Sequence, residues 1–226
     1  MALRYCLPIV LALLLTTAHA QADCKSAPGP GLDWSGCLKE KLMLDDAELM
    51  DSDLSGAFLS GTSFADARMK GAKLIKAELS RASFKGADLE GADLSKAIGG
   101  RIDFSGANLA GANLEKAEFH RSIFAGANLA GANMSRSEFS RATFDGADLT
   151  GVNLHHSNIS RASFKDATLA GVNMKGAYMY RAEIAGTDLS AVEGLSGDQI
   201  EIACGDDATV LPDGLDHPAD WPCTAD

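Results

Sequence analysis

A large apolar residue returns every fifth position along most of this chain. Reading from Leu44 through Leu49, Leu54 and Leu59 to Leu189 gives 30 such positions. Of these, 29 are Leu, Phe, Met or Ile, and Gly99 is the exception. Two residues before each centre stands a small residue, most often Ala, as at Ala47, Ala57, Ala67, Ala87 and Ala107. Asp or Asn commonly lies between them, and Gly or a basic residue commonly follows two positions after the centre. A period of five fits neither an α-helix nor an ordinary strand. In a helix it would spread the apolar centres over every face, and the recurrent Gly would cost about 1 kcal/mol each. It suits a short extended piece followed by a bend. The centre and the residue two before it then share the inward side, and Ala at the second inward site implies a narrow interior. Gly after the centre suits the bend.

A longer period sets the number of sides. Phe64, Phe84, Phe104, Phe124, Phe144 and Phe164 recur at 20 residues, with Ile184 next. Arg81, Arg101, Arg121, Arg141, Arg161 and Arg181 recur at the same interval, as do Lys76, Lys96, Lys116, Arg136 and His156. Twenty residues are four units, so one coil has four sides and residues 20 apart stack. At strand spacing of roughly 4.8 Å, about seven and a half coils give a rod roughly 36 Å long. Stacked coils close a core that no single coil could bury. The predicted class is all-β, a four-sided β-helix over residues 44–190, between an N-terminal cap (21–43) and a C-terminal cap (191–226). Ala97-Ile98-Gly99-Gly100 breaks the pattern and predicts a bulge or kink in which Ile98 or Ile102 fills the gap. Residues 196–203 read as a short helix, with Ser196 as its cap and Gly205 past its end. Trp34 and Trp221 are expected to cover the ends of the core, and Pro212, Pro218 and Pro222 to prevent further strand pairing there.

Units such as Ala107-Asn108-Leu109-Ala110-Gly111 resemble the pentapeptide-repeat family, whose pattern is written A-[DN]-L-x-x. The resemblance covers about residues 44–190 and implies a right-handed quadrilateral β-helix with no common catalytic activity. The flanks 31–37 and 204–215 resemble, more loosely, those of exported bacterial members. Dimerisation through a terminal cap is implied by the resemblance alone. Some members mimic DNA and bind type II topoisomerases with an acidic rod, which makes a topoisomerase-binding mimic the alternative reading.

Charge and cysteines modify this picture. The formal net charge is −11, but it is unevenly placed. Residues 41–191 hold 17 Lys plus Arg and 19 Asp plus Glu, a net of −2, whereas residues 192–226 hold nine acids and no base. A rod so close to neutral, with basic columns, argues against DNA mimicry. Residues 1–20 read as a signal peptide: Arg4, an apolar run from Tyr5 to Leu15, and Ala18-His19-Ala20 as the cleavage site. Export places Cys24, Cys37, Cys204 and Cys223 in an oxidising compartment, where an even count predicts two disulfides. Of the three possible pairings, the local one closes a short loop in each cap. No metal or cofactor is expected. His155-His156 is read as a pair pointing to opposite faces. The Arg column (Arg81 to Arg181) and the Lys column beside it (Lys76, Lys96, Lys116, Arg136) form the candidate binding surface. One reading is solvated ladders interleaved with Glu78, Glu118 and Glu138; the other is a basic strip for an anionic partner. The function expected is a non-catalytic scaffold of the periplasm or envelope. Its partner would be a protein or an anionic envelope component, not nucleic acid, and no membrane span would remain in the mature chain.

Overall fold

In the computed structural model, residues 22–223 are described; the signal-peptide reading lies outside them. The chain winds as a quadrilateral β-helix. Each side contributes one parallel bridge residue, paired 20 residues on: Asp88 with Asn108, Asn108 with Asn128, and Asn128 with Asp148. Sides follow in the order of their centres. Side 1 carries the Phe column and side 2 the column of Met69, Leu89 and Leu109. Side 3 carries Leu74, Leu94 and Leu114, and side 4 carries Leu79, Gly99, Phe119 and Phe139.

Five residues per side follow from where the five backbone N–H groups go. At the side centred on Leu89, the Leu89 and Gly91 N–H groups donate to Asn108 O and Ala110 O of the next coil, at 2.7 and 2.9 Å. Asp88 N–H donates back to Ala67 O, at 2.9 Å. Ala92 N–H closes the turn onto Leu89 O, at 2.9 Å. The fifth N–H, that of Glu90, is accepted by the Asp88 carboxylate at 3.2 Å. Where a unit carries Asp or Asn before its centre, as at Asp88, Asp93, Asn108 and Asn113, that side chain thus supplies the acceptor that the backbone lacks. From Leu44 to Ile184, the residue two past each centre sits at the third turn position with positive φ, the signature of a type II turn.

The interior is a stack of side chains. Phe64, Phe84, Phe104, Phe124, Phe144 and Phe164 lie ring over ring with centroids 4.8–5.2 Å apart and planes within 12°. Phe139 of side 4 meets Phe124 and Phe144 edge-on at 5.8 Å. All of these rings are fully buried. Offset stacking and edge contacts each add about 0.5–1.5 kcal/mol beyond burial.

The structure corrects several expectations. The coil path starts inside the segment assigned to the N-terminal cap: Asp33 bridges Asp53 and Leu38 bridges Phe58. Trp34 is itself a buried centre of side 3. Lys39 at the next centre hides this coil from the apolar pattern; its ammonium lies 3.7 Å above the Trp34 ring. At Gly99 there is neither bulge nor kink. Glu78, Ile98 and Glu118 bridge in unbroken succession. Ile98 points outward and Ile102 is buried, so it is Ile102 that fills the gap. One turn bond is exchanged, and Ile102 N–H donates to Ser122 Oγ at 3.1 Å.

The C-terminal end is closed by α1, Gly197–Glu201, shorter than the helix predicted. Gln199 accepts the Ser196 N–H at 3.1 Å. Its Nε2 donates to Met174 O and Ala177 O, both at 2.9 Å, which fastens the helix over the last coil. The local disulfides, Cys24–Cys37 and Cys204–Cys223, are formed, with Cα separations of 5.5 and 5.3 Å. Trp221 Nε1 donates to Ala203 O at 2.9 Å. Its ring lies so close to Gly205 that a Cβ there would sit 2.3 Å from it.

Candidate functional site

The corners of the rod differ in chemistry because each is occupied by the left-handed turn residue. Glycine dominates the corner between sides 1 and 2 and the corner between sides 2 and 3. The corners on either side of side 4 are basic. Lys76, Lys96, Lys116, Arg136 and His156 line the side 3/4 corner, with φ of 56–60°. Arg81, Arg101, Arg121, Arg141, Arg161 and Arg181 line the side 4/1 corner, with φ of 54–60°. An L-residue in this conformation costs roughly 1–2 kcal/mol. Coil closure alone is therefore better served by the Gly of the other corners.

The two basic columns differ in their ion pairing: Lys116 and Arg136 of the first are engaged, although Lys76 and Lys96 enter no ion pair among the described residues. Glu115 pairs with both Lys116 and Arg136, at 3.1 and 3.4 Å, and these cations hold its carboxyl below the usual carboxylate range. The other ion pairs among the described residues are Arg68–Glu48 and Lys70–Glu90. Arg81, Arg101, Arg121, Arg141 and Arg161 enter none of them. Glu78, Glu118 and Glu138, three residues upstream of an Arg in sequence, do not neutralise that column. They belong to the bridge positions of side 4, where Glu138 instead accepts Asn158 Nδ2 at 2.8 Å.

Beside the arginines runs a shallow groove of about 600 Å³. One residue before the corner, Glu40, Ser60, Ser80, Gly100 and His120 make up its floor column, and Lys41, Gly61, Arg81, Arg101 and Arg121 complete the lining. The sequence reading missed the floor. Its signal was available at period 20: Glu40, Ser60, Ser80, Gly100, His120, Ser140, Ser160 and finally Tyr180. Tyr178 and Tyr180 stand exposed three coils beyond this groove, with rings parallel within 11° and 6.3 Å apart; Tyr180 lines a separate hollow with Arg181, Glu201 and Asp220. The Arg161 guanidinium lies 6.0 Å from the Tyr180 ring centre.

The reading of His155 and His156 is corrected. Both are turn residues, not strand residues, and their rings touch at 4.0 Å. Burial first, then His156, Lys175 and Arg136, push His155 below its ordinary pKa. Among the described residues no group of three His, Cys, Asp or Glu is placed to hold a metal ion. No helix there is long and apolar enough to cross a membrane.

Sequence profiles described as "Pentapeptide repeats (8 copies)" and "Pentapeptide repeat region" match residues 47–86 with 62–98 and residues 117–193, respectively. The chain belongs to the pentapeptide-repeat family. It is a right-handed quadrilateral β-helix of that family, with disulfide-bearing caps. Among solved structures it is similar to HetL, a pentapeptide-repeat protein involved in heterocyst differentiation regulation in Nostoc sp. PCC 7120. That match has 25% identity and a TM-score of 0.36, covering 76% of this chain and 84% of that one. A pentapeptide-repeat protein of the Arabidopsis thaliana thylakoid lumen is 27% identical with a TM-score of 0.36, covering 58% and 84%. Full-length QnrB1, a plasmid-mediated fluoroquinolone resistance protein, is 17% identical with a TM-score of 0.44, covering 80% and 90%. No curated protein matches. These superpositions carry no weight for function.

Proposed function

We propose that this pentapeptide-repeat rod is a non-catalytic scaffold of the periplasm or cell envelope that offers its arginine edge to an anionic partner. The observation that carries this reading is the run of five arginines outside the ion pairs of the described residues, three of which, Arg81, Arg101 and Arg121, line an open groove. Unpaired, aligned charges raise the local potential and steer an anion, whereas paired surface charges largely cancel. Two disulfides within the caps and the signal-like residues 1–20 support export. DNA mimicry fits less well, because a mimic needs an acidic rod and this one presents cations along its groove.

The test compares the protein with a variant in which Arg101, Arg121, Arg141 and Arg161 are all Gln, on a soluble polyanion. The unaltered protein should bind in a salt-sensitive manner, and the variant at least about tenfold more weakly with a flatter salt dependence. Equal binding by both proteins would end this reading. Amino-terminal sequencing of protein recovered from a periplasmic fraction should begin at Gln21; recovery only from the cytosol contradicts export.

A further inference from the structure

We infer that the occupant of the arginine edge is an acidic polysaccharide chain, laid lengthwise with about one sugar residue per coil and one sugar ring resting on Tyr180. This rests on the anionic-partner reading above and narrows it to one chemical class.

The stacked Phe rungs fix the rise per coil at 4.8–5.2 Å. The arginines leave the rod once per coil, from backbone φ angles within 6° of each other, so their backbone positions repeat at about that interval along the corner. This interval is comparable to the advance of one pyranose residue along an extended polysaccharide. Successive sugars of such a chain are turned about its axis, so the carboxylate of every second or third sugar faces the ladder, and the planar guanidinium suits bidentate capture of such a group. Duplex DNA places phosphates about 3.4 Å apart along the axis of each strand, and falls out of step with the ladder within two coils.

What lies beside the arginines points the same way. The floor column of the groove is Ser60, Ser80, Gly100 and His120, with Glu40 at its outer end; Ser140 and Ser160 continue the column beyond it, and His120 Nδ1 lies 2.9 Å from Ser140 Oγ. Hydroxyls on a flat floor match a ligand that carries hydroxyls between its charges. A flat anionic bilayer fits poorly, since pressing it against side 4 brings Glu78, Glu118 and Glu138 against its headgroups. A single chain in the groove meets the arginines and leaves those carboxylates across the face.

The floor column terminates in Tyr180, 42% exposed, beside the parallel Tyr178. The C–H face of a pyranose packs on an aromatic ring, as bases do on stacking platforms. A bare phosphate polymer has no such face. Tyr180 thus separates a sugar chain from other polyanions of equal charge.

The experiment measures binding of the disulfide-bonded protein to oligogalacturonates of increasing length, with inorganic polyphosphate and uncharged dextran as comparators. Affinity should rise with oligogalacturonate length and level off near the length of the ladder; dextran should not bind. Tyr180→Ala should weaken the longest oligogalacturonate severalfold and leave polyphosphate unchanged. Arg101, Arg121 and Arg141 changed together to Gly should weaken both by at least about tenfold. Gly already occupies this turn position at the other corners, so this variant keeps its fold, which an unchanged or raised melting temperature confirms. If Tyr180→Ala alters neither ligand, or polyphosphate binds as tightly as the oligouronate, the polysaccharide assignment is overturned and the anionic edge stands. If the Arg→Gly variant binds both ligands as well as the parent, the edge itself fails.

Discussion

Replacing Gly99 with the Leu that the repeat calls for should destabilise the rod, against the general expectation that consensus substitutions stabilise. Gly99 is not in the left-handed region, so the penalty is steric. A Cβ there would lie 2.8 Å from the Leu79 carbonyl carbon, 2.9 Å from Ser80 N and 3.1 Å from Ile102 Cδ1. The first two are backbone atoms of the preceding coil. They are held by Leu79 N–H on Ile98 O at 2.8 Å and Arg81 N–H on Gly100 O at 3.0 Å. They cannot retreat without stretching the bonds that define the rod. Overpacking of this kind costs about 1–3 kcal/mol, so even Gly99→Ala should lower stability by that amount. Leu adds atoms that need the space occupied by Ile102. Ile102→Ala alone should cost about 2–5 kcal/mol through the cavity it leaves. The double variant Gly99→Leu, Ile102→Ala restores the repeat pattern but not the backbone spacing, and should stay below the parent. Urea unfolding followed by circular dichroism measures the parent and all four variants, with unfolding slopes compared to check that one cooperative transition is being read. A double variant more stable than the parent would refute the reasoning, since backbone approach would then not be limiting.

Other outcomes follow from the same bonding rules. On side 3, Asn113, Asn133, Asn153 and Asn173 each donate Nδ2 to the residue one coil earlier, beginning at Asp93, over 3.2–3.5 Å. Asn133→Asp removes a donor and sets two oxygens face to face, so it should cost about 0.5–1.5 kcal/mol; Asp93→Asn, at the ladder's start, should be nearly neutral in the same melts. Changing Cys204 and Cys223 to Ser opens a loop spanning 19 residues and should lower cap stability by about 3 kcal/mol, seen as faster amide exchange in the last coil. Asp206 is held below the usual carboxylate range, first by the Gly186 N–H. A depressed folded pKa means its stabilisation is present above the unfolded pKa and is lost as pH falls through the folded value. Acid should therefore loosen the contact between residues 186 and 206 by amide exchange, and Asp206→Asn should remove that pH dependence.

The repeat register, the four sides and the Phe stack were legible in the sequence, because each residue faces only its neighbours one coil away. The narrow interior was equally legible from Ala at the second inward position. The helix was foreseen too, though two residues too long. What the sequence misplaced lay where the pattern is broken by one unusual residue: Lys39 concealed the first coil, and Gly99 suggested a kink where Ile102 instead repacks from the adjoining side.

Sequence alone thus settled the architecture, since a five-residue period with inward pairs admits few closed paths and the backbone bonds fix the rest. Tertiary structure decided which charges are free. Glu115 reaches across to Arg136 on the next coil, while Glu78, Glu118 and Glu138 lie across side 4 from the arginines their sequence spacing suggested as partners. Side-chain reach between coils, not distance along the chain, determines that outcome.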